Sequence, residues 1–223
     1  MRTHHLAPIL LLASAFQAPA ALVSADHAIF GAGSLTFDTE SRLQWLTPKT
    51  TVGRSYNETL ALLAGDPSYA GFRVATLDEL AGLYSAAGIP DVNVPGYGAL
   101  YGTEANVPGV QYLQSLSGVT YAVHVAGLDL AETAGFVDAP FISPVNGFLS
   151  VHIGNVVHRS NVQTGNELTS FASAYTTWGS LPVGSNTIGV GTWLVSTLPE
   201  PSSMLLLLGS LAILTNSRRR AEA

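Results

Sequence analysis

Phe72-Arg73-Val74-Ala75-Thr76-Leu77-Asp78-Glu79-Leu80 holds a short strand, a helix cap and the first turn of a helix within nine residues. Thr76 and Glu79 have the spacing of a capping box, in which the hydroxyl accepts from an early helix amide and the carboxylate returns to the amide of the cap. Leu77, Leu80, Leu83 and Tyr84 then recur at helical spacing. Gly88-Ile89-Pro90 supplies the stop, a left-handed glycine followed by an apolar contact. Upstream, Ser55-Tyr56-Asn57-Glu58 repeats the box and leads into Tyr56, Leu60 and Leu63, with Gly65 as the end. Before that, Leu35-Thr36-Phe37 and Leu43-Gln44-Trp45-Leu46 flank the turn-forming Asp38-Thr39-Glu40-Ser41 and predict a β-hairpin. Beyond Pro90, residues 108–117 predict a third helix with Val110, Leu113 and Leu116 on one side. Strand-like runs follow at 120–125, 147–153, 156–158 and 192–196, and Ile153-Gly154-Asn155-Val156 has the spacing of a two-residue hairpin turn. Helices early and strands late predict a single α+β domain with a mainly antiparallel sheet, not alternating βαβ units.

The chain has 223 residues, 47% hydrophobic and only 11% charged, with no cysteine and a formal net charge of −6. Both ends contribute to that balance. Residues 1–25 run from Arg2, His4 and His5 through the apolar 6–16 to small residues, the tripartite form of a secretory signal peptide. Ala18-Pro19-Ala20 and Val23-Ser24-Ala25 both fit the small-x-small rule. Cleavage after Ala25 is the expectation, because Pro19 sits inside the first option. At the other end, Pro199-Glu200-Pro201 precedes an apolar run from Met204 through Leu205, Leu206, Leu207, Leu208, Leu211, Ile213 and Leu214, followed by Arg218, Arg219 and Arg220. Twelve helical residues span about 18 Å, so this is a short transmembrane helix that crosses only with its polar flanks or in a thinned bilayer. The three arginines set it as a stop-transfer segment with the preceding chain outside.

The order of Pro199-Glu200-Pro201, short apolar helix and arginine cluster resembles the PEP-CTERM sorting signal of Gram-negative bacteria. That resemblance implies an exosortase as partner, cleavage near the motif, and passage through the inner membrane to the cell surface or extracellular matrix. The segments 38–46, 51–55 and 71–80 resemble a recurring body type among PEP-CTERM proteins, and Gly191-Thr192-Trp193-Leu194-Val195 before the tail fits it. More distantly, the stretch around Phe72 to Leu80 is similar to the Lcl C-terminal domain family, which implies a C-type-lectin-like fold. Phe72 stands where that family has tryptophan, and Ala75 where it has proline. The domains expected are thus a signal peptide (1–25), an extracytoplasmic body (26–198) and a sorting tail (199–223).

The body carries five basic and thirteen acidic residues, a balance that repels nucleic acid. Zero cysteine removes thiol catalysis and thiolate metal sites. Gly-x-Ser-x-Gly, Ser-x-x-Lys, His-Glu-x-x-His and a complete phosphate-binding glycine loop are all missing, so no enzyme, metal or cofactor is expected. His152 and His158 face opposite ways if Gly154-Asn155 is a turn, or lie about 20 Å apart on one straight strand, and neither arrangement shares a metal. His124 between two valines reads as an outward-facing strand residue. Glu58 and Glu79 read as helix caps, and Arg73 as the partner of a nearby carboxylate, Asp78 or Glu79. Trp45 and Trp193 alternate with aliphatics and read as core, whereas Trp178, among threonines and glycine, is the candidate ligand contact. These readings point to an exported structural or interaction protein, with a lectin-like polysaccharide-binding module as the alternative.

Overall fold

A computed structural model describes residues 22–93, 102–125, 127–144, 147–164 and 167–197. Residues 1–21 of the expected signal peptide (1–25) and the residues from 198 onward, with Pro199, Glu200, Pro201 and the expected stop-transfer residues Met204 to Arg220, lie outside them. Among the described residues no helix is long and apolar enough to cross a membrane.

Among the described residues, three α-helices and ten strands form a mixed, mainly antiparallel α+β structure. The predicted hairpin is present: β2 (Gly31–Asp38) pairs with β3 (Leu43–Leu46), Leu35 opposite Leu46 and Thr36 opposite Trp45. Asp38 builds its turn, accepting from the amide of Glu40 at 2.9 Å and from the Ser41 hydroxyl at 2.7 Å. The first sheet adds β1 (Leu22–His27) outside β2, and β10 (Leu194–Thr197) and β4 (Arg73–Val74) beyond β3. The second sheet runs β5 (Tyr121–Val125), β6 (Leu128–Ile142), β7 (Leu149–Thr164) and β8 (Glu167–Pro182), all antiparallel. β9 (Val190–Thr192) pairs parallel to β6 where β5 leaves off, with Ala134 opposite Val190.

Both predicted capping boxes form. In α1 (Tyr56–Gly65) Ser55 accepts from the Glu58 amide and Glu58 returns to the Ser55 amide at 2.7 Å. In α2 (Leu77–Ala86) Thr76 and Glu79 do the same. Gly88 closes α2 at φ +75°, with its amide bonded to the Ser85 carbonyl and the Ile89 amide to that of Tyr84, both orphan carbonyls being satisfied. α3 (Val107–Ser117) buries Val110 and Leu113 as expected. The inner face of α1 differs from the periodicity reading. Leu60 is exposed and Thr59 is buried, its hydroxyl satisfied by the Ser55 carbonyl and the Thr192 hydroxyl.

The predicted turn at Gly154-Asn155 is overturned, because β7 passes straight through it. Gly154 is there for space: a Cβ would come within 2.2 Å of a Leu80 methyl. Gly135, opposite it on β6, would likewise meet the Trp193 ring at 2.9 Å. The glycine pair thus forms a floor on which α2 and Trp193 seat. Trp193 joins the two sheets between β9 and β10, donating from Nε1 to the Gly154 carbonyl at 3.0 Å and meeting Trp45 and Tyr84 edge-on. One apolar cluster holds these residues with α2 and α3. A second, on the other side, gathers Leu35, Leu46, Tyr56, Phe136, Val151 and Leu194.

Candidate functional site

Cross-strand order on the second sheet sets up the candidate site. Tyr121 on β5 lies opposite Glu132 on β6, and Ala134 lies opposite Asn155 on β7. Side chains two apart on a strand share a face, so Glu132 and Asn155 are diagonal neighbours there. The Asn155 amide donates to Glu132 at 2.7 Å. Burial pushes the Glu132 carboxyl above its ordinary range, against the opposing effects of the Asn155 hydrogen bond and the positive charge of Arg159. Asn155 itself is fully buried, and its Oδ1 has no hydrogen-bond partner among the described residues. A buried amide oxygen of this kind carries a desolvation cost of about 1–3 kcal/mol unless something fills the place of water.

Glu132 opens onto a cleft of about 300 Å³ that Tyr121, Ile153, Ser180, Thr187 and Ile188 also line. Its outer wall is the loop leading into β9. Gly189, at φ +83°, lies so close to Tyr121 that a Cβ would stand 2.7 Å from the Tyr121 Cβ. Pairing of β9 with β6 then holds the loop over the sheet. Tyr121 is half-exposed at the rim, and Ile188 is 89% exposed. A carboxylate, hydroxyl side chains and an aromatic face at one cleft are the groups that hold polyhydroxylated ligands.

The sequence-derived candidates are dispersed. His124 is exposed and pairs with Asp129, which also accepts from Asn161 at 2.7 Å. His152 stacks on Phe141 with ring centroids 4.4 Å apart. His158 meets the Gln111 amide at 3.2 Å, and partial burial lowers its pKa. Because β7 is continuous, the two histidines follow the single-strand alternative and share one face, six residues apart. Among the described residues no three metal-ligating side chains come together. Trp45 and Trp193 are core. Trp178 lies in β8, but its side chain is outside those described. Arg73 pairs with Glu79, the second of its two expected partners, through two hydrogen bonds, one of 2.8 Å.

Sequence reasoning passed over Glu132 and Asn155. Their signal was a second acid after Asp129 and a lone amide inside the largely apolar stretches 128–137 and 151–157, and reading Gly154-Asn155 as a turn explained the amide away. No family model, curated protein or solved structure matches the chain.

Proposed function

We propose that the chain is an exported, non-enzymatic protein whose tail is processed by an exosortase and whose body acts at the cell surface or in the extracellular matrix. The observation that carries this reading is the order of Pro199-Glu200-Pro201, the apolar run from Met204 and the three arginines at 218–220. Two prolines interrupt any helix continuing upstream and keep an extended segment at the membrane surface. The position of β10 supports it: Thr197, the last strand residue among those described, comes two residues before Pro199 in sequence. An epitope tag after Ala223 tests the reading. The tag is lost from the mature protein only in cells that hold the exosortase, and replacing Pro199, Glu200 and Pro201 by alanine keeps it on. A tag retained equally in both strains contradicts the reading.

A second reading, that the body is a lectin-like module for extracellular polysaccharide, is favoured by the cleft that Glu132 and Tyr121 line. The substitution E132Q keeps the acceptor for the Asn155 amide and removes a half-buried charge. It therefore leaves the protein as stable or raises stability by about 1 kcal/mol at neutral pH, while abolishing retention on the polysaccharide. Trp178→Ala is the parallel test of the other candidate contact. No binding of the mature protein to any polysaccharide on a glycan array leaves the structural role.

A further inference from the structure

The first strand bears on where the mature protein begins. Leu22, Val23, Ser24 and Ala25 pair with Asp38, Phe37, Thr36 and Leu35 along the outer edge of β2. Leu22 is only 3% exposed and belongs to the core cluster that holds Trp45 and Leu113. Its carbonyl accepts from the Tyr112 hydroxyl at 2.6 Å, which ties α3 to this strand. A cut after Ala25 removes all four of these residues. It leaves His27 opposite Gly31 as the remaining pair of β1, bares the β2 edge from Leu35 to Asp38, and deprives Tyr112 of its acceptor. A bare edge of that length is a template for pairing with other chains. A cut after Ala20 removes none of this, and Ala18-x-Ala20 has alanine at both small positions of the recognition rule, where Val23-x-Ala25 has a valine.

From this we infer that signal peptidase cuts after Ala20 and that the mature protein starts at Ala21, one residue before β1. The inference rests on the export reading above. Signal peptidase acts on an extended chain before the body folds, so the fold does not shield the second site. What the fold records is which residues the mature protein uses, and residues 22–25 are paired, tethered and, at Leu22, buried. In sequence, the two proposed processing points then flank the described strands, Ala20 preceding β1 and the Pro-Glu-Pro region following β10.

The test is N-terminal sequencing of the mature protein, made from the full chain in a Gram-negative host carrying an exosortase. The expected N-terminus reads Ala-Leu-Val-Ser-Ala. Asp-His-Ala-Ile-Phe overturns the inference and leaves export intact, whereas a retained Met1 overturns both. The variant A20L supplies an independent readout: processing is lost or displaced, and an unchanged N-terminus in A20L overturns the inference.

Discussion

Trp193 is the residue on which the two sheets and α2 meet, and its indole N–H is satisfied by Gly154. Trp45 is equally buried, yet its Nε1 has no partner among the described residues. The two tryptophans therefore respond differently to phenylalanine. W193F opens a cavity and orphans the Gly154 carbonyl, a loss of about 3 kcal/mol. W45F removes an already unsatisfied donor, so its loss is smaller by about 1–2 kcal/mol, and urea denaturation of the two variants reads the difference. Both tryptophans were legible as core from their aliphatic neighbours. Gly154 was not, because a glycine required by a neighbour's close approach and one required by a turn look the same in sequence. Only Leu80, 74 positions earlier, distinguishes them.

At the scale of elements, the start signals of α1 and α2 were legible because a capping box is local, its partners three residues apart. The hairpin β2–β3 was legible for the same reason. β6 and β8 were not, since Ala, Gly, Asp and Pro in one and the scattered Ala, Ser, Gly and Pro in the other break up the strand signal, and their partners supply the pairing. The cap of α2 also makes an acid-sensitive junction. The Arg73 guanidinium, followed by the Thr76 amide and hydroxyl, holds the Glu79 carboxyl at about 2, against its ordinary 4.5. A depressed carboxyl stabilises the fold above its unfolded value, and that contribution is lost as pH falls from about 4.5 toward 2. E79Q therefore destabilises by about 1 kcal/mol at neutral pH and flattens the fall in melting temperature between those pH values. Equal acid sensitivity in wild type and E79Q contradicts the role given to the cap.

Across the whole molecule, the chain closes its first sheet with its last strand. β10 sits between β3 and β4, so residues 43–46, 73–74 and 194–197 meet only when the C-terminal end arrives. Such non-local pairing is slow to form, and in an exported chain it completes only once Thr197 has left the membrane channel. On the proposed sorting reading, the chain from Thr197 to Met204 reaches at most about 25 Å, so the body would stay close to the membrane until the tail is cut. Core, capped helices and sheet register of the described residues all lie between Ala20 and Pro199, as the proposed release from both sorting segments requires. The most direct measurement is the intact mass of the protein harvested from the medium of cells with and without the exosortase. With the enzyme, the mass corresponds to a chain starting at Ala21 and ending near Pro199-Glu200-Pro201, and without it no such species is released. A full-length tail on the protein from both strains contradicts exosortase processing.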